Sequence, residues 1–286
     1  MKLKRRANLE PYLLLLPSLA YLAIFFAWPM VQAFGLAFRA DDGRWTLEFF
    51  RRMVGDAAFW PAVRTSLILV LTIIPLQFIL ALTMALLATA GLRGSGALIY
   101  FYALPIAVSD LAAGIVWFSV FTERGYLNTV LQGLGLLEKP FIFLQYGATW
   151  AVIAVILAEV WRATSIVFVI LVAGLQGIPK EYNEAAEVFG AGWFARLRKV
   201  TLPMLRPSIQ VALILRTILA FQVFAVVVAL TGDGVKVLAS EAYQWYNQWR
   251  NLNVAAAYAA LILAISMLST GIYLRALRTR PEAQAV

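Results

Sequence analysis

Six apolar runs, each long enough to cross a hydrocarbon core of roughly 30 Å, recur at about residues 12–38, 63–89, 97–120, 148–172, 207–231 and 254–274. Each predicts a membrane-spanning helix, because a helix satisfies its own backbone polar groups in lipid. Between the fourth and fifth runs the pattern changes. Pro179 can open a helix at its first turn, and Tyr182, Ala185, Ala186 and Phe189 then fall at i, i+3, i+4 and i+7 as one apolar stripe. Lys180, Glu181, Asn183, Glu184 and Glu187 take the other side. Gly190 can stop that helix, since glycine tolerates the left-handed backbone that a C-terminal cap requires. A second short helix is expected to carry Trp193, Phe194, Leu197 and Val200, with Arg196, Arg198 and Lys199 on its polar side. The pattern predicts an all-α integral membrane fold of about six spans. A helix–turn–helix elbow at 178–203 lies against the membrane and offers charge to a partner.

Composition agrees: 62% of residues are hydrophobic, 14% are charged, and the mean hydropathy is +0.80, which no soluble core of this length needs. The net charge of +9 is best read as topology. Lys2, Lys4, Arg5, Arg6, Arg93, Lys180, Arg196, Arg198, Lys199, Arg206, Arg275, Arg278 and Arg280 flank the spans on one side. Arg39, Arg44, Arg51, Arg52, Arg124, Lys139, Lys236 and Arg250 lie on the other, mixed with acids. The positive-inside rule then puts both termini and the elbow in the cytoplasm, with a cytoplasmic segment 1–11 ahead of a membrane domain at 12–286. Basic residues this dispersed do not suggest a nucleic-acid partner. The basic start before an apolar run imitates a secretory signal, but the run continues past Pro17 and Trp28-Pro29 to Phe38, so it is read as an uncleaved span.

The elbow carries a specific resemblance. Glu184-Ala185-Ala186, then Gly190, then Val200, Leu202 and Pro203 resemble the coupling loop of ABC importer permeases of type I. Phe189 stands where aspartate is frequent and Val200 where isoleucine is usual. Further stretches are similar to the sugar-permease, maltose/trehalose-type branch: Leu104-Pro105, Gly125-Tyr126-Leu127-Asn128, Ala158-Glu159-Val160-Trp161-Arg162 and Leu230-Thr231-Gly232. Asp233-Gly234-Val235 replaces the glycine-glycine-proline usual in that branch. The resemblance implies a permease of the cytoplasmic (inner) membrane that imports a carbohydrate, with di- or oligosaccharides favoured. Its implied partners are a second homologous permease, two ATPase subunits that bind ATP and Mg, and an extracytoplasmic solute-binding protein. ATPase coupling is implied for Glu184, Ala185, Ala186, Gly190, Leu202 and Pro203.

Ionisable groups in a span are costly in lipid and mark a protein interior or an aqueous path, which singles out Asp110, Glu159, Arg162 and Arg216. Glu159 and Arg162, three residues apart, can also pair locally. The resemblance implies that Asp110 and Glu159 line a sugar site, where carboxylates accept hydrogen bonds from hydroxyls. Their charge argues against an anionic solute. It also points to Leu219–Phe224, where Gln222 alone is polar. Phe221, Phe224 and Trp117 offer rings for stacking on a sugar or for plain packing. Pro29, Pro75 and Pro105 can kink their spans.

The chain contains no cysteine and no histidine, so no disulfide frame, imidazole base or metal centre is expected, and no catalytic set can be assembled. No GxxxxGK[ST] pattern is present. Gly91–Gly96 and Gly232-Asp233-Gly234 are turn signals, and the chain is expected to hold no cofactor of its own. An ion-coupled secondary transporter is the alternative, using Asp110 and Glu159 for coupling, although no paired repeat of spans is visible.

Overall fold

The computed structural model describes residues 10–40, 42–145, 147 and 149–277. Lys2, Lys4, Arg5, Arg6, Arg278 and Arg280, used above for orientation, lie outside them. The described residues contain no strand beyond an isolated bridge between Arg39 and Trp45.

Five helices are long and apolar enough to span a membrane: α1 (Tyr12–Leu36), α3 (Phe59–Thr89), α7 (Thr149–Gln176), α9 (Trp193–Phe221) and α12 (Leu252–Ala276). A sixth span is bent by 99°, where Ser95–Ala107 meets Asp110–Gly133. Its parts are α4 (Ser95–Ala103), a 3-10 turn at Leu104–Ala107, α5 (Asp110–Phe121) and α6 (Tyr126–Gly133). Shorter helices are α2 (Glu48–Val54), α8 (Lys180–Val188), α10 (Ala225–Thr231) and α11 (Leu238–Asn247).

Three expectations require correction. The third run, expected as one span at 97–120, is broken at Val108-Ser109. Pro105 lies just before the break, and Ser109 caps α5 by accepting a hydrogen bond from the Ala112 amide at 3.2 Å. The fifth run, expected at 207–231, ends as a helix at Phe221 and resumes at Ala225. Window hydropathy cannot register a backbone break among apolar side chains. The second helix of the elbow is not short. It continues through a π turn at Leu197–Thr201 into Leu202–Phe221, with Pro203 in that helix's first turn, where its missing N–H is harmless. Of the expected kink sites, Pro105 adjoins the bend and Pro29 follows a π turn at Ala23–Ala27, but Pro75 leaves α3 unbroken.

The chain divides into two compact units. One runs through Asp56 and includes Ala242–Leu261; the other is Ala57–Glu241 with the chain from Ile262. In the first, the Trp245 indole donates to Asp56 at 3.1 Å and Arg52 lies over its ring. The second is built on α7, whose buried Ala151, Ala154, Val155 and Ala158 keep helical spacing. Two apolar clusters form there. Leu69, Ile73, Ala154, Val155, Val226 and Leu230 belong to one; Ala81, Ala85, Phe168, Leu171, Leu205 and Ala212 to the other. Small residues on α3 and α7 let the backbones approach, as helix pairs in lipid require.

Candidate functional site

Between those two clusters lies a polar layer. Along α3, Gln77 falls between Ile73 and Ala81; along α7, Glu159 falls between Ala158 and Val167; along α9, Arg216 follows Ala212. Gln77, Glu159 and Arg216 are all 0% exposed. Arg216 Nη2 donates to Glu159 Oε2 at 2.7 Å and its Nε donates to Gln77 Oε1 at 2.6 Å. Gln77 Nε2 donates in turn to the Glu159 carbonyl at 2.8 Å. Burying these charges is tolerable because both Glu159 oxygens and the Nε and Nη2 donors of Arg216 find partners within the layer.

The layer reaches the break in the third span through Arg162. Its Nη1 lies 2.8 Å from Asp110 Oδ1, and its Nη2 lies 3.3 and 3.4 Å from the two Glu159 oxygens. The local pairing of Glu159 with Arg162 therefore forms, as part of a larger array. Asp110 opens α5, where the helix dipole favours a carboxylate, and its side chain is 52% exposed. Two acids balance two arginines here, which removes the like-charge argument against an anionic solute.

The other expected path residues are dispersed. Gln222 is exposed at the end of α9, just before the second break. Phe221 is buried. Trp117 is half-buried, stacked on Phe121 at 5.4 Å and edge-on to Trp161 at 6.2 Å. Glu159, enclosed and paired, does not open onto a path in this conformation. Gln77 was missed because only ionisable groups were singled out; a glutamine inside an apolar run was the available signal.

The two breaks belong to one packed assembly. Helix α5 lies against α10, which resumes the fifth span, and Gly114 of α5 faces Val226 and Ala229 of α10. Irregular backbone at membrane depth persists only where protein buries it or it lines a cavity.

At the elbow, α8 runs from Pro179, which stands before its first turn as the cap residue, to a Schellman ending. The Gly190 amide donates to the Glu187 carbonyl at 2.8 Å and the Ala191 amide to Ala186 at 2.9 Å, with Gly190 at φ +76°. Glu187 pairs with Arg196 across the turn. The expected stripe does not pack inward. Tyr182, Ala185 and Phe189 are exposed, Phe189 by 89%, and Glu184 is exposed beside them. Asn183 and Ala186 turn toward the chain instead. Asn183 lines a cleft of about 740 Å³ with Trp193, Arg196, Thr89, Ser95 and Gln176. The short linker after α7 sets this rotation, which the periodicity of α8 alone does not encode.

Relatives place this architecture. The chain is 30% identical to the trehalose/maltose transport system permease protein MalF of Thermococcus litoralis, with 98% of each protein covered. It is 32% identical to the sulfoquinovosyl glycerol transport system permease protein SmoG of Agrobacterium fabrum, over 94% of this chain and 90% of that one. The fold matches a bacterial alginate ABC transporter crystallised with an alginate pentasaccharide-bound periplasmic protein, at a TM-score of 0.78, 21% identity and 93% coverage of each chain. The profile of the binding-protein-dependent transport system inner membrane component matches residues 93–280, the stretch that holds the bent span, the four charged residues of the layer and the elbow. The chain belongs to that family, as an ABC transporter permease of the sugar-permease type.

Proposed function

We propose that this chain is the membrane subunit of an importer that carries a carbohydrate inward, alongside a second permease and under the drive of separate ATPase subunits. The observation that carries this reading is the pairing of two interrupted spans with a buried, charge-balanced layer whose most exposed member is Asp110. Half-helices give solute groups access to backbone dipoles without exposing a helix side to lipid. Asp110 and Gln222 supply exposed acceptors at the two breaks, and Trp117 a partly open ring. The partner permease supplies the facing half of the path.

The exposed elbow is the contact for the ATPase pair, which binds ATP and Mg. Glu184, Ala185 and Phe189 stand on the outward face of α8, while Gly190 fixes the turn. Leu202 and Pro203 begin the membrane part of the following helix rather than closing the elbow, so their part in coupling is to carry motion onward. A solute-binding protein delivers the sugar on the opposite face. The elbow is cytoplasmic in this reading.

Uptake of radiolabelled maltose and trehalose by proteoliposomes holding the whole importer tests it. Uptake requiring ATP and surviving collapse of ion gradients supports an ATP-driven importer; the reverse result indicates an ion-coupled transporter. Glu184→Lys is expected to insert normally and to leave the assembled importer hydrolysing ATP without uptake, and full uptake by that assembly refutes the role of Glu184. A thermal-shift screen of the cognate binding protein identifies the solute, because a ligand stabilises the protein it binds.

A further inference from the structure

The polar layer contains four charges but only two short ion pairs. Arg216 meets Glu159 at 2.7 Å and Arg162 meets Asp110 at 2.8 Å, whereas the contacts joining the pairs, from Arg162 to Glu159, are 3.3 and 3.4 Å. Gln77 holds this partition by accepting from Arg216 Nε at 2.6 Å while donating to the Glu159 carbonyl at 2.8 Å. Arg162 thus stands between a buried carboxylate that has a closer cation of its own in Arg216 and an open one whose short ion pair is with Arg162 itself. A buried carboxylate deprived of its cation recruits the nearest other cation, since an unpaired charge in a dry interior is costly. For Glu159 that cation is Arg162, and the group that would lose it is Asp110.

We propose that Arg216, oriented by Gln77, is a positioning residue for the solute path. By neutralising Glu159 from α9 it leaves Arg162 free to hold Asp110 at the mouth of the bent span. Arg216 acts only through Glu159 and Arg162, from the helix that is itself interrupted six residues later. The state of one interrupted span therefore sets the carboxylate offered at the other. This inference rests on the reading that the break before Asp110 lines the solute path, but control of Asp110 by Arg216 can be measured without any solute.

The test is labelling of the full chain, assembled in membranes, with a water-soluble carbodiimide and glycine ethyl ester, followed by mass spectrometry of the Asp110 peptide. Arg216→Gln is expected to label severalfold faster than the parent, because Arg162 swings to Glu159. Arg216→Lys, which keeps the charge, stays near the parent rate. The double variant Glu159→Gln/Arg216→Gln returns to the parent rate, since Arg162 again has only Asp110 to serve. Equal labelling of parent and Arg216→Gln, or a double variant as fast as the single, overturns the proposal; a residue that merely fills space would leave the double at least as disturbed. Glu159→Gln alone provides a second arm if Arg216→Gln does not fold. It removes the competitor for Arg162 and is expected to label more slowly than the parent, and an unchanged or faster rate overturns the proposal. Labelling needs neither sugar nor ATP, so its failure is distinct from failure of the uptake experiment.

Discussion

Gly114 sits so close to Ala229 that a β-carbon on it would fall 2.5 Å from the Ala229 β-carbon and 3.1 Å from the Val226 carbonyl oxygen. Backbone cannot yield as a flexible side chain can, so the contact between α5 and α10 depends on the missing methyl. Overpacking of this kind costs about 1–3 kcal/mol. Gly114→Ala should lower the thermal midpoint of the purified protein, Gly114→Val should lower it further, and Ala229→Gly should recover part of the loss in the Gly114→Ala background. Unchanged unfolding of Gly114→Val would show that the two helices separate freely.

Gly190 offers a complementary case, in which space is abundant and backbone conformation is the constraint. Nothing lies within 4 Å of a β-carbon there, but φ is +76°. The left-handed backbone costs a non-glycine residue about 1–2 kcal/mol, least for asparagine. Coupling, measured as ATP hydrolysed per sugar imported, should therefore worsen from Gly190→Asn to Gly190→Val, with Gly190→Pro worst. Insertion should be unaffected throughout. Equal coupling in the Asn and Val variants would remove the turn from the mechanism.

Gln77→Leu tests the polar layer without altering its charge. The substitution leaves Arg216 Nε without its acceptor in a fully buried site, a defect of about 1–3 kcal/mol. A lower thermal midpoint is expected. A Leu variant as stable as the parent would mean that the Arg216 side chain is satisfied elsewhere.

Asn128 pins the segment after α6. Its Oδ1 accepts from the Phe141 amide at 2.9 Å and its Nδ2 donates to the Phe141 carbonyl at 2.9 Å. Asn128→Ala removes both bonds from a buried position, and hydrogen exchange at Phe141 should accelerate by at least tenfold, about 1.4 kcal/mol of local opening. Protection that persists would assign the segment to the ring contacts of Phe141 with Phe143 and Trp150.

These sites differ in how far the sequence revealed them. Hydropathy located the long helices, because a span's apolar length is a local property, and the spacing of Glu184, Gly190, Leu202 and Pro203 located the elbow. The breaks before Asp110 and after Gln222 were hidden from hydropathy, since Ser109, Asp110 and Gln222 are too few to interrupt a long apolar window, although Pro105 marked a kink site beside the first. The partners of Glu159 were only half visible. Arg162 lies three residues away on the same helix, whereas Arg216 and Gln77 come from other helices, and single-sequence periodicity says nothing about which helices meet. The outward roll of Tyr182 and Phe189 was likewise beyond reach, because it depends on how α8 leaves α7.

One consequence follows from the uninterrupted helical path between Trp193 and Phe221. A rod of 29 residues is about 43 Å long at 1.5 Å per residue, so a tilt of about four degrees at one end displaces the other by about 3 Å. That travel matches the length of a hydrogen bond. A push delivered at the elbow would then reach Arg216 as a change large enough to remake or sever its contacts, provided that the π turn at Leu197–Thr201 and Pro207 transmit the stroke rather than bend.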